Sequence, residues 1–173
     1  MLLKRLEHWD HISFCRLFSR CSSKHFSCAY WLSKTADGPL YLLLVVCLLA
    51  FNATEAVSFS KLLLAGFAVE LPFYLLLKNS ICRARPTEVL TAFVQAYITP
   101  SDRFSLPSGH TAGAFVVVAA VSSCYPLWLP LVLLWACGIG LSRIILGVHF
   151  PLDVCAGAVL GTVSAMTALY LLS

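Results

Sequence analysis

Apolar residues in this chain run in long blocks, and the polar residues gather in knots between them. The blocks are Leu40 to Ala53, Val57 to Leu77, Ala112 to Pro126, Leu127 to Leu146 and Leu152 to Leu172. A helix needs about 20 apolar residues to cross a bilayer core. The pattern therefore predicts an all-α integral membrane bundle of about five transmembrane helices, the first short enough to thin the bilayer or recruit flanking residues. Pro72, inside the second block, is expected to kink its helix. Glu70 lies there too, and a carboxyl within a span faces the bundle interior or a polar path. Two turns before Lys78, it either makes a structural hydrogen bond or reaches towards the polar knot above it.

Met1 to Lys34 follows a different pattern. Lys4, Arg5, Arg16, Arg20, Lys24 and Lys34 are interleaved with Trp9, Phe14, Phe18, Phe26, Tyr30 and Trp31, and no apolar run is long enough to span a bilayer. One or two amphipathic helices at headgroup level fit this mixture, and a disordered basic arm is the alternative. Asp37-Gly38-Pro39 closes the zone, so the expected organisation is an N-terminal arm at 1–34 and a transmembrane unit at 35–173. Between the second and third blocks, Phe93, Val94, Tyr97 and Ile98 suit either an amphipathic turn on the membrane surface or a plain connector.

Composition fixes the environment. The chain is 60% hydrophobic and 12% charged, too apolar for a soluble domain of 173 residues. Its net charge of +4 is concentrated beside a span, which points to anionic membrane lipids as partners and not to nucleic acid. Lys4, Arg5, Glu7 and Asp10 interrupt the place where a signal-peptide core would form. Of eight cysteines, Cys47, Cys124, Cys137 and Cys155 lie in apolar runs and read as small hydrophobes. Cys15, Cys21 and Cys28 read as free thiols or acylation sites. There is no Cys-x-x-Cys, and the acidic residues Asp37, Glu55, Glu70, Glu88, Asp102 and Asp153 are scattered, so neither a metal nor a cofactor is expected. The glycosylation sequon Asn52-Ala53-Thr54 abuts a predicted span and is set aside.

Three polar knots carry the candidate chemistry. The first is Lys78-Asn79-Ser80-Ile81-Cys82-Arg83-Ala84-Arg85-Pro86. Lys78 and Arg85, seven apart, would point the same way on a helix. The second is Pro107-Ser108-Gly109-His110, a turn into a helix whose first N–H groups and dipole favour an anion. The third holds Ser142, Arg143, His149 and Asp153. Pro151 favours the first position of a helix, which puts Asp153 in its first turn, near enough to accept the Nδ1 proton of His149. Taken singly, a capped helix with an incidental histidine accounts for the second knot, and an interfacial histidine beside a carboxylate accounts for the third.

Together the knots resemble the three-part signature of the type 2 phosphatidic acid phosphatase family, whose superfamily includes lipid phosphate phosphatases and the vanadium haloperoxidases. The resemblance implies that Lys78, Arg85, Ser108, Gly109 and Arg143 bind phosphate. It also implies that His149, oriented by Asp153, forms a phosphohistidine, and that His110 protonates the leaving alcohol and later activates water. Many relatives have six spans, and here the N-terminal arm stands where the first would be. The expected function is metal-independent hydrolysis of a lipid phosphate: phosphatidate, phosphatidylglycerol phosphate or a polyprenyl pyrophosphate. An undecaprenyl pyrophosphate phosphatase is the narrower alternative. A haloperoxidase is the rival chemistry, and a non-catalytic lipid-phosphate binding or transport protein the alternative of another class. The expected location is a bacterial cell (inner) membrane. The positive-inside tendency puts the site on the cytoplasmic face, whereas the resemblance implies the outer one.

Overall fold

A computed structural model describes residues 2–51, 54–100 and 102–173 of the chain. The sequon's Asn52 and Ala53 lie outside the described residues. The helices are α1 (Leu2–Phe18), α2 (Ser23–Lys34), α3 (Gly38–Ala50), α4 (Ala56–Ile81), α5 (Pro86–Val89), α6 (Gly109–Cys124), α7 (Leu129–Ile145) and α8 (Pro151–Leu172), with a 3₁₀ turn at Pro126–Trp128 before α7. Prolines sit in the first turns of α3, α5, α7 and α8, where a missing N–H costs nothing and φ is already helical. Among the described residues there is no strand.

Three helical stretches are long and apolar enough to cross a membrane: Ala56–Val89, Pro126–Ile145 and Pro151–Leu172. A fourth arises if α2 and α3, bent by 52° at their junction, count as one span. Counted so, the short first block draws on its flank, since α3 alone would rise only about 20 Å. The boundary drawn at Lys34 falls inside this bent pair. In the connector after α5, Val94 is buried under α1 and Tyr97 stacks on Phe26, which ties it to the N-terminal helices, while Phe93 is exposed. Leu134, Val159, Val163 and Leu171 are exposed, the apolar surface expected of helices that face lipid.

Helix α6 is the axis of the bundle. Its Thr111, Ala112, Gly113, Ala114, Val116 and Val117 are buried between α4, α7 and α8. Lipid tails are as apolar as leucine, so helices in a bilayer associate through close packing of small residues. Here Gly157 and Gly161 of α8, a G-x-x-x-G pair, lie directly against the α6 backbone. A Cβ at Gly157 would overlap the Ser108 carbonyl oxygen, and one at Gly161 that of Ala112. The helices alternate in direction. The C-terminal ends of α4 and α7 therefore meet the N-terminal ends of α6 and α8, and the α2–α3 junction joins them.

Candidate active site

The first knot does not continue α4. The helix stops at Ile81, Cys82 takes a left-handed conformation (φ 50°), and Arg85 becomes the residue preceding α5. Lys78 and Arg85 therefore do not share a helix face, as their spacing had implied. They converge because the chain turns back, and both close on Asp102. The Asp102 carboxylate accepts from Lys78 Nζ at 2.8 Å, from Arg85 Nη2 at 2.6 Å and from the Tyr74 hydroxyl at 2.7 Å. Burial alone would raise the Asp102 carboxyl, but the hydrogen bonds and charges of Lys78, Tyr74 and Arg85 hold it below its ordinary range. Arg85 also donates to the Val148 carbonyl at 2.6 Å, tying the first knot to the third.

The second and third knots are joined at Asp153. The Ser108 N–H donates to the Asp153 carbonyl at 3.0 Å. The Asp153 carboxylate, fully buried, accepts from the Ser105 hydroxyl, the Phe150 N–H (2.7 Å) and Arg83 Nη1 (2.6 Å). Its place in the first turn of α8 is as the sequence suggested, but its partners are not. His149 Nδ1 stands 3.8 Å from Asp153 Oδ2 and makes no hydrogen bond. The carboxylate is already committed to capping α8 and to Arg83, which in turn holds the buried Asp10 of α1 at 2.6 Å. Burial pushes the His149 imidazole down to about 4; Asp153 opposes this, and the charges of Arg143 and Arg85 add to it. The ring is thus held neutral, the form in which an imidazole nitrogen is nucleophilic.

Helix α6 begins at Gly109, and its first intrahelical bond runs from the Ala112 N–H to the Ser108 carbonyl at 2.9 Å. The Gly109 and His110 N–H groups are therefore free for an anion. A Cβ at Gly109 would stand about 3.0 Å from the Tyr74 ring, tighter than ordinary contact, so a larger residue would press on Tyr74. His110 Nε2 is 3.1 Å from Asp37 Oδ1, whose other oxygen accepts from Lys34 at 3.0 Å. Arg143 is buried. Its Nη1 donates to the Ser33 hydroxyl at 2.8 Å, its Nε has no partner, and no carboxylate pairs with it among the described residues.

Two cavities meet at His110 and Asp37. A polar one of about 480 Å³ is lined by Tyr30, Ser33, Lys34, Ile98, Thr99 and Arg143 as well. A larger one of about 790 Å³ extends between α3 and α4. Glu70 lines the second. It makes no hydrogen bond among the described residues, so the structural hydrogen bond considered for it is not there. Among the described residues no three His, Cys, Asp or Glu side chains cluster to suit a metal.

All eight residues singled out from the sequence for chemistry thus lie at one end of the bundle: Lys78, Arg85, Ser108, Gly109, His110, Arg143, His149 and Asp153. Sequence reasoning missed Asp10, Ser33, Asp37, Arg83, Ser105 and Asp102. Arg83 had a signal, a third cation inside the first knot. The aspartates had none beyond their charge, since each is brought in by the return of a distant segment.

A family model described as the PAP2 superfamily matches residues 41–173. A lipid A 1-phosphatase of Rhizobium johnstonii is 37% identical over 100 residues, covering 54% of this chain and 40% of that protein. A decaprenylphosphoryl-5-phosphoribose phosphatase of Mycobacterium tuberculosis is 37% identical over 103 residues, 59% of this chain and 55% of its own length. The chain thus matches about half, or less, of these curated relatives. The crystal structure of Aquifex aeolicus LpxE superposes with a TM-score of 0.73 at 26% identity, covering 91% of this chain and 92% of that one.

Proposed function

The chain belongs to the PAP2 superfamily, and from that membership and the geometry of the site we propose that it is a membrane-integral phosphatase acting on a lipid phosphate. His149 is the nucleophile. It attacks phosphorus in line with the leaving oxygen, the P–O bond breaks as the P–N bond forms, and His110 gives its proton to the departing alcohol. Water, deprotonated by His110, then cleaves the phosphohistidine and releases inorganic phosphate. Lys78, Arg85 and Arg143 offset the phosphoryl charge, and the Ser108 hydroxyl with the Gly109 N–H complete the cradle. The Asp102 carboxylate stands on Lys78 and Arg85 where phosphate oxygens would bind, and gives way to them. Asp153 acts chiefly by fixing the start of α8, and so the backbone that carries His149.

The observation that carries this reading is the convergence of three distant knots on one helix-terminal floor, where Arg143 and His110 line one cavity and Arg85 is bonded to the Val148 carbonyl beside His149. The cations supply what a divalent metal would, so the reaction needs none. Helix α6, about 24 Å long, completes five spans in the bacterial inner membrane, and α1 lies at headgroup level, with the lipid tails of the substrate left in the bilayer. The relatives act, by their names, on lipid A and on a decaprenyl-linked phosphate. Purified protein in lipid–detergent micelles should release phosphate from a lipid phosphate, with or without EDTA, and orthovanadate should inhibit competitively. Arg143→Ala should weaken that inhibition. No release from phosphatidate, phosphatidylglycerol phosphate or a polyprenyl pyrophosphate would overturn the reading in favour of a binding protein. Loss on chelation, restored by magnesium, would overturn its metal independence.

A further inference from the structure

The larger cavity is walled mainly by Leu42, Val45, Leu63, Leu64, Phe67 and Leu71. Two polar groups interrupt this apolar lining. Tyr41 is only 9% exposed, and its hydroxyl has no hydrogen-bond partner. Glu70, 5% exposed, lines the same cavity and makes no side-chain hydrogen bond among the described residues. An unpaired buried hydroxyl is costly, and that cost disappears when a ligand supplies the partner.

Their position identifies the part of the ligand they meet. A Cβ at Gly113 would stand 3.4 Å from the Tyr41 hydroxyl, as a Cβ at Gly109 would stand 3.2 Å from that of Tyr74. Between these glycines α6 rises one turn, about 6 Å. Tyr41 therefore lies one turn below the phosphate cradle. His110, assigned above as the acid that protonates the leaving alcohol, lines both cavities, and the larger, apolar one is the one that suits a lipid alcohol. A tyrosine hydroxyl can donate or accept, and a carboxyl beside it can accept. The group that satisfies both is a hydroxyl, or an amide whose C=O accepts from Tyr41 and whose N–H donates to Glu70.

We propose that Tyr41 and Glu70 form a polar subsite for the leaving alcohol, which selects lipid phosphates whose alcohol bears a hydroxyl or amide N–H close to the phosphate. Lysoglycerol, phosphatidylglycerol, sugar and N-acylamino-alcohol phosphates meet this requirement; phosphatidate, whose diacylglycerol carries only esters beside the phosphate, and a polyprenyl phosphate, a bare hydrocarbon beyond its phosphate, do not. This inference rests on the phosphatase reading and narrows its substrate class.

The test compares lysophosphatidate, its deoxy analogue lacking the free hydroxyl, an N-acylamino-alcohol phosphate of equal chain length and a polyprenyl phosphate. The wild type should favour lysophosphatidate over the deoxy analogue by about tenfold in kcat/KM, and the amide over the polyprenyl phosphate similarly. In Tyr41→Phe and in Glu70→Gln these ratios should collapse to within about twofold. Phenylalanine keeps the packing of the Tyr41 ring on Phe67 and Trp135, so a folded protein is expected, and a circular dichroism melt verifies it. Equal ratios in wild type and variants, or a preference for the polyprenyl phosphate, would overturn the subsite. Hydrolysis of all four without discrimination would sink the subsite alone, whereas hydrolysis of none of them, nor of phosphatidate, phosphatidylglycerol phosphate or a polyprenyl pyrophosphate, would sink the phosphatase reading itself.

Discussion

Replacing Arg83 by methionine removes the shared counter-charge of two fully buried carboxylates. Asp10 and Asp153 each accept from the guanidinium at 2.6 Å, and neither carboxylate is exposed to water. Deleting one partner of a buried ion pair costs about 3–5 kcal/mol, because the other charge is left in a poor solvent. Several contacts soften that cost here. Asp153 retains Ser105 and the Phe150 N–H, and Asp10 retains the Leu152 N–H at 2.9 Å. Arg83 itself is 17% exposed, and its removal also ends a contact with the Phe150 ring at 4.7 Å. The lower end, about 3 kcal/mol, is therefore expected. Asp10→Asn in the same chain neutralises one stranded anion, so the double variant should be more stable than Arg83→Met alone by about 1–2 kcal/mol. Arg83→Lys should recover little, since one nitrogen would replace the two that separately reach Asp10 and Asp153 at 2.6 Å. The assay is unfolding in detergent micelles, followed by circular dichroism, for the four members of the cycle. A wild-type melt in Arg83→Met, or simple additivity with Asp10→Asn, would refute the account of this network.

Three further outcomes are expected. Gly161→Ala should push α8 off the α6 carbonyl of Ala112, costing about 1–3 kcal/mol in the same unfolding assay and lowering turnover, because Asp153 and His149 ride on that helix; unchanged stability and rate would contradict it. His110→Ala should, in single-turnover phosphoryl transfer, lose far more rate on a lipid phosphate than on p-nitrophenyl phosphate, whose leaving group needs no proton, and Asp37→Asn should lean the same way; equal losses would make His110 a phosphate ligand instead. The depressed His149 has a clear sign. Its contribution to stability is whole above the ordinary value of 6.5 and is lost as pH falls towards about 4, so the wild type should lose more melting temperature over that window than His149→Gln, and a flat difference would refute it.

Which segments meet was legible in the sequence, since polar knots between apolar blocks must lie at span ends. Pro151 marked the start of α8, and with it the place of Asp153, because proline's fixed φ suits a first turn. The relation of Lys78 to Arg85 was not legible. A seven-residue spacing predicts one helix face, and only the left-handed Cys82 shows that the chain turns instead. Nor were the partners of Asp153 legible, because Asp10 and Arg83 reach it only once α1 has folded across the helix ends. Asp37 and Asp102 looked like scattered acids for the same reason. The Gly157–Gly161 pair was open to reading and went unread; its meaning lies in the close approach of α6, which a period of four residues would have suggested.

The central claim is that phosphate passes through His149, and rapid quenching tests it most directly. Enzyme mixed with a lipid phosphate labelled in its phosphoryl group, quenched within a turnover and digested, should yield a labelled peptide containing His149, stable in alkali and lost in acid. His149→Gln should carry no label and release no phosphate. Label on any other residue, or turnover in His149→Gln at the wild-type rate, would contradict the account.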